Sequence, residues 1–295
     1  MATDTYTPRK PRQAKKLDIR GVEYNISEWG DSGKPLLVLL HGFADAGACF
    51  QFVVDALQKD WFVIAPDWRG FGDSGHRASS YWFPDYLADL DQILMHYSPD
   101  RPARLVGHSM GANIAAIFAG VFPERVSQLV NIEGFGLRDG DPSDSPGRLR
   151  QWIETGRDTQ PYTTYQEFSE LAIRIRKRSP HLSEARALFV ARQWAARDED
   201  GVIRLKIDPA HRLRNPILYR RRESEAAWSR VKAPVLFVVG GDTDFDSPEM
   251  RWVDGQTPFG SFPDLRHVTI EDARHMVHFE QPEKLAAALE EFLIY

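Results

Sequence analysis

The chain has a single cysteine, Cys49. That excludes an internal disulfide and any multi-cysteine metal site, and it suits a reducing compartment. No apolar run approaches the length of a membrane span. Charge of neither sign dominates: 37 lysines and arginines face 42 aspartates and glutamates, a net charge of -5, which gives no electrostatic reason to expect a nucleic-acid partner. The nine histidines are scattered without ligand spacing, so no metal is expected. Gly70-x-Gly72 has no third glycine in register, so no dinucleotide and no other cofactor is expected either. Arg9, Lys10, Arg12, Lys15 and Lys16 have no apolar segment behind them, so residues 1–16 read as a disordered basic tail rather than a secretory leader. A cytoplasmic location follows as the expectation. Neither an internal repeat nor an extended low-complexity segment is present, and the oligomeric state is not readable.

With 295 residues, 42% of them hydrophobic, the chain can bury a sizeable core. Leu17 to Trp29 alternates apolar and polar residues around Gly21, which predicts an opening hairpin. Leu36-Leu37-Val38-Leu39-Leu40 is a continuous apolar run between turn signals, as expected of a strand buried on both faces of a parallel sheet. Trp61 to Ala65, Arg104 to Gly107, Val126 to Ile132, Pro234 to Val239 and His267 to Ile270 repeat that theme, with helical stripes between them. Such alternation is the pattern of a doubly wound α/β sheet. It breaks from Leu137 to about Trp228, a stretch that opens on the Gly/Pro/Asp/Ser-rich linker Asp139 to Gly147 and continues as arginine-rich helical segments. The reading is a core of residues 17–136 and 230–295, with residues 137–229 inserted as a helical cap.

The stretch with the clearest chemistry is Gly107-His108-Ser109-Met110-Gly111, between an apolar strand and a helix that carries Ala115, Ala116, Phe118 and Ala119. A serine on so tight a strand-to-helix turn sits in strained backbone geometry, and bulky residues two before or two after would collide with it. The turn presents the hydroxyl at the carboxyl end of the strand and leaves the Met110 N–H at a helix N-terminus, where negative charge is favoured. A serine hydroxyl needs a base to take its proton, and the base needs a carboxylate to fix its tautomer. In α/β folds such groups gather at the carboxyl ends of strands. After Ser109, Asp242, Asp244 and Asp246 follow one strand, and His275 and His278 follow the next.

The order serine, acid, histidine resembles that of the α/β-hydrolase-fold serine hydrolases. The likeness covers residue 17 to the end and is carried by the serine elbow, by His41-Gly42-Phe43, by Asp67-x-Arg69-Gly70-x-Gly72-x-Ser74, by Gly241-x-x-Asp244, and by His275 with Glu280-Gln281-Pro282. It implies a mostly parallel eight-stranded sheet with helices on both faces and an inserted cap. It implies Ser109 as nucleophile, His275 as general base and Asp244 as orienting acid, with the N–H groups of Phe43 and Met110 as the oxyanion hole. Asp242 and Asp246 are close neighbours of the chosen acid, and Glu133, at the end of the preceding strand, holds a second position that some family members use. His278 is the rival base. His41 is expected to hold the oxyanion loop, His108 to pack under the turn, and Asp67 and Arg69 to support neighbouring loops.

Serine rather than aspartate at the elbow points to acyl chemistry, so the expected activity is carboxylesterase-like cleavage of an ester or related carbonyl bond in a small, mostly apolar substrate. A carbon–carbon bond hydrolase or a cofactor-free perhydrolase would use the same residues, and a ligand-binding receptor could keep them. Trp68, Trp82, Phe135, Trp152 and Trp194 are candidates for the pocket lining, with core or cap packing as the alternative for each. The arginine runs at 174–178 and 220–222 read as solvated helix faces.

Overall fold

The computed structural model describes residues 5–76, 80–246 and 258–293, the side chains of 258 and 259 excepted. The chain opens with β1 (Gln13–Ile19) and β2 (Val22–Trp29), paired antiparallel. Then come β3 (Leu36–Leu40), α1 (Gln51–Ala56), β4 (Phe62–Pro66), α2 (Phe83–Tyr97), β5 (Ala103–His108), α3 (Met110–Val121) and β6 (Val126–Ile132). An inserted region follows with α4 (Ser145–Arg157), α5 (Phe168–Arg178), α6 (Glu184–Trp194), β7 (Ala195–Arg197) and β8 (Ile203–Leu205). The chain returns through α7 (Arg221–Trp228), β9 (Val235–Gly240), β10 (Leu265–Ile270), α8 (Val277–Glu280) and α9 (Pro282–Phe292). Eight strands make one sheet in the order β1-β2-β4-β3-β5-β6-β9-β10. It is parallel from β4 to β10 and antiparallel at β1, β2 and the β2–β4 junction.

The period of two in the strands decides which helix covers which face. Val38, Leu40, Ile64 and Leu105 point to the side covered by α2, α3 and α7. Their neighbours Leu37, Leu39, Val63 and Val106 point to the side covered by α1 and α9. On α2, Leu90, Ile93 and Leu94 are fully buried. Each contributes about 1.5–3 kcal/mol, so packing rather than helix propensity holds this 15-residue helix. A third apolar cluster belongs to the cap, where Leu171, Ile175, Leu188 and Val190 meet Phe52 and Phe279 of the core.

Three expectations change. Residues 5–16 are ordered rather than a disordered tail; Met1 to Asp4 lie outside the described residues. The buried carboxylate of Asp55 holds the segment. It accepts from the Tyr6 hydroxyl at 2.5 Å and from the N–H groups of Arg9 and Lys10 at 3.0 and 2.7 Å. The Tyr6 ring meets Phe52 of the core and Phe189 of the cap at 4.7 and 5.6 Å. Secondly, the cap is not wholly helical: β7 and β8 form an antiparallel pair of three residues each, too short to leave an alternating pattern. Thirdly, α7 packs on α3 and buries Trp228 in the core, so residues 221–228 belong to the sheet domain rather than to the cap.

The cap is tied to the core through backbone. Gly72 N–H donates to Lys206 O and Asp208 N–H to Gly70 O, both at 2.9 Å. Among the described residues no helix is long and apolar enough to cross a membrane. Since Asp55 satisfies three N-terminal donors and the Gln51 amide as well, Asp55→Ala is expected to lower stability by about 2–4 kcal/mol and Tyr6→Phe by about 1 kcal/mol. Urea unfolding would measure both, and an unchanged midpoint in Asp55→Ala would show that the segment contributes nothing.

Candidate active site

Ser109 follows β5 and precedes α3, with φ 50° and ψ −113°, a region that L-residues avoid. Its N–H donates to Ile132 O at 2.8 Å, which pins the turn to the end of β6. The flanking glycines are demanded by close approach. A Cβ on Gly107 would stand 2.5 Å from Ala112 N, and one on Gly111 would stand 2.6 Å from His41 O. Met110 opens α3, so its N–H has no intrahelical acceptor. The loop after β3 runs alongside: a Cβ at Gly42 would come 3.2 Å from that of Ser109. Phe43, next in this loop, is 53% exposed.

His41 braces that loop. It is fully buried, its Nδ1–H donates to Gly42 O at 2.7 Å, and its Nε2 accepts the Trp68 N–H at 2.9 Å. The Trp68 indole N–H returns a bond to His41 O at 3.0 Å. Burial lowers the His41 pKa, so the ring stays neutral, as its acceptor role requires. Asp67 ties three segments together, accepting from Gly47 N, Asn25 Nδ2 and Asp73 N. Arg69 pairs with the buried Asp89 at 2.5 Å, where the Tyr24 hydroxyl also donates.

The carboxylate at His275 belongs to Glu133. His275 Nδ1 lies 3.1 Å from Glu133 Oε2. The other oxygen, Oε1, accepts from Gly240 N–H at 2.7 Å and from the Thr243 hydroxyl at 3.0 Å. Glu133 is 2% exposed and has φ 57°, a second left-handed residue at a strand end. The sheet order explains the geometry. β6 adjoins the serine's strand, and the glutamate side chain spans the end of β9 to reach the histidine after β10.

This corrects the expectation for the acid. Asp244 is exposed, and its carboxylate accepts from the N–H of Asp246 at 3.0 Å. Asp242 is exposed too and pairs with His181 of the cap at 3.1 Å. The residue that the β9 loop turns inward is Thr243, which supports Glu133. Asp246 is also exposed.

His278 is fully buried with Nε2 3.1 Å from Asp45 Oδ2. His108 is buried as well, and its Nε2 lies 2.8 Å from His275 O. A carbonyl can only accept, so that nitrogen carries the proton. Burial, together with the nearby His278 and His275, holds the His108 pKa well below the ordinary value. Asp45, His108 and His278 bring three potential ligand atoms within 4.8 Å of one another, a grouping that their sequence spacing hides. The Nδ1 atoms of His108 and His278 are buried there with no hydrogen-bond partner among the described residues.

The aromatic candidates separate. Trp68 and Phe135 are core residues, fully buried. The Trp82 indole bonds to Ser80 at 3.0 Å, and that of Trp194 to Asp45 at 2.7 Å. Trp152 is partly buried on α4, and its Nε1 lacks a partner among the described residues. None of the five has a hydrogen bond to Ser109 among the described residues. The aromatic ring beside the elbow is Phe43. It meets Phe71 at 5.3 Å; Phe71 stacks on His211 of the cap at 3.9 Å, and His211 on Tyr81 at 3.8 Å. Burial pushes the His211 pKa down to about 4.

A family model described as "alpha/beta hydrolase fold" matches residues 35–282. A serine hydrolase-like protein of Danio rerio is 28% identical over 302 residues, covering 98% of this chain and 90% of that protein. A 2-(acetamidomethylene)succinate hydrolase of Mesorhizobium japonicum is 24% identical, with 95% of each chain covered. The solved thioesterase domain of the curacin biosynthetic pathway superposes with a TM-score of 0.83 at 24% identity, over 95% of this chain and 99% of that one.

His41, His108 and His211 are all held neutral by burial. In the unfolded chain they take up protons as the pH falls below about 6.5. The unfolded state then binds more protons than the folded one, so stability is present above that pH and lost below it. Each histidine contributes up to about 1.4 kcal/mol per pH unit, His211 until about pH 4. The unfolding free energy should therefore be lower at pH 5 than at pH 7.5 by about 3 kcal/mol or more, as read by urea denaturation. Equal stability at the two pH values would contradict the burial of these rings.

Proposed function

Since the chain belongs to the α/β-hydrolase family, we propose that this hydrolase is a serine enzyme that cleaves an ester or related carbonyl bond through an acyl-enzyme. The observation that carries the reading is the Glu133–His275 hydrogen bond beside a strained serine elbow. Glu133 binds the Nδ1–H of His275 and so leaves the Nε2 lone pair to act as base. His275 takes the Ser109 proton as Oγ attacks the carbonyl carbon, and Glu133 stabilises the resulting imidazolium. The N–H groups of Met110 and Phe43 receive the oxyanion. Collapse expels the alcohol, which takes the proton from His275 and leaves Ser109 acylated. Water, deprotonated by the same histidine, then releases the acid and regenerates the serine.

A small and largely apolar substrate suits the wall beside the oxyanion loop, where the half-exposed Phe43 leads through Phe71 to His211 and Tyr81. His211 is neutral at pH 7, so this wall offers no charge to an anionic group. The proposed substrate is a small molecule, in keeping with the hydrolase family.

Ser109→Ala should abolish turnover of short p-nitrophenyl esters and labelling by a fluorophosphonate; labelling that survives the change would sink the mechanism. Glu133→Gln should lower kcat by about 10²–10⁴-fold, because the amide cannot stabilise the cation. Asp244→Asn should stay within about twofold of the parent, as expected of an exposed carboxylate remote from the base. Steady-state kinetics decide between the two acids, and the reverse ranking would return the role to Asp244.

A further inference from the structure

We propose that Asp45 is a positioning residue that couples the cap to the oxyanion loop and the base, with Trp194 as the cap's contact. The proposal rests on the serine-hydrolase reading above. Asp45 lies two residues after Phe43, and its side chain is 1% exposed. Between them Ala44 has φ 60°, a conformation that a non-glycine residue adopts only when its surroundings impose it. Something must therefore hold the loop from outside, and Asp45 is placed to do so.

Its carboxylate joins three parts of the molecule. Oδ1 accepts the Ala46 N–H at 2.8 Å, closing the oxyanion loop on itself. The same oxygen accepts the indole N–H of Trp194, at the last residue of α6 in the cap, at 2.7 Å. Oδ2 faces His278 Nε2 at 3.1 Å, on the short helix just after His275. The chain of contacts continues inward. The His278 ring lies 4.3 Å from that of His108, and His108 donates to the main-chain carbonyl of His275 at 2.8 Å. The base is thus held by the residue preceding the nucleophile, and that residue packs on the partner of Asp45.

Burial opposes ionisation of Asp45, but the hydrogen bonds from His278 and the Trp194 N–H outweigh it and keep the carboxyl below the usual range. A buried carboxylate with only polar and imidazole donors gains its stability from orientation, so each lost donor is felt strongly. Trp194 is the one of these donors that the cap supplies. When the cap shifts, Oδ1 loses this donor and keeps the backbone N–H of Ala46. The position of the cap is then transmitted to Phe43 on one side and to His278 and His275 on the other. Such coupling acts on the assembly of the transition-state contacts, so it belongs in kcat rather than in KM.

A double-mutant cycle on p-nitrophenyl ester hydrolysis tests this, with every preparation normalised to active serine by fluorophosphonate titration. Trp194→Phe keeps the ring and removes the N–H; kcat should fall about five- to tenfold with KM within about twofold. Asp45→Asn should lower kcat by about 100-fold, and the double variant should be no worse than Asp45→Asn alone, because both act through one contact. A kcat for Trp194→Phe within twofold of the parent overturns the proposal, as do losses that multiply in the double variant. If Asp45→Asn does not fold, Trp194→Phe decides alone, since its aromatic packing is retained. Ser109→Ala separates the two readings. Turnover that survives it defeats the serine mechanism; a silent Ser109→Ala beside a fully active Trp194→Phe defeats only the coupling.

Discussion

The site depends on one buried carboxylate reaching across the ends of three strands. Glu133 leaves β6 in a left-handed conformation, takes the Gly240 N–H at the end of β9, and meets His275 beyond β10. Without a filled second oxygen, a glutamate 2% exposed would be an unpaired buried charge, and its orientation toward the histidine would be undetermined. Thr243 and Gly240 supply that filling. The inward turn of Thr243 therefore leaves its aspartate neighbours in solvent. One hydrogen-bonding requirement places the glutamate inside and the aspartates outside.

The same economy runs through the rest of the site. Ser109 and Glu133 both sit at positive φ at the ends of adjacent strands, and Ser109 N–H bonds to Ile132 O, the residue before the glutamate. The strain at the two positions is thus held by a shared piece of backbone. His41 and Trp68 exchange two hydrogen bonds under the oxyanion loop. Both are fully buried, so the loop rests on a rigid floor while Phe43 above it stays half exposed. Rigid support beneath and an open face above suit the oxyanion role proposed for this loop.

How far this was legible in the sequence differs by element. The apolar runs of β3, β4, β5, β6 and β9 announce a sheet covered on both faces because their burial is two-sided and continuous. The elbow is legible because sterics restrict it to one spacing, and His275 because it follows the last strand. The carboxylate that bonds His275 stays open in the sequence for a physical reason: Asp242, Asp244 and Glu133 all follow strands, and the inward turn of Thr243 puts Glu133 at the histidine. For Trp68 and Phe135 the sequence leaves pocket lining and core packing both open, because a large aromatic side chain after a strand looks the same in either setting. Residues 5–16 read as a tail because composition registers their charges and not the acceptor, Asp55, that lies 45 residues or more from Arg9 and Lys10.

The cap is where sequence reading loses its grip, and its architecture explains why. Its segments are held by contacts outside themselves: α5 and α6 on Phe52 and Phe279, the 206–208 strip on the backbone of Gly70 and Gly72, and Trp194 on Asp45. α5 and α6 keep a buried face of their own, Leu171, Ala172 and Ile175 against Ala187, Leu188 and Val190, but elsewhere the inserted residues lack such a face. α4 shows this most clearly, with Leu149 and Ile153 exposed and no buried residue along its length. The cap meets the core through backbone and also through side-chain pairs, His181 with Asp242, Arg186 with Glu283, Lys206 with Asp73 and Trp194 with Asp45. Asp45 differs from the other core carboxylates in this set because it is buried, and the carboxylate that receives the cap's indole also bonds His278 and the next residue of its own loop.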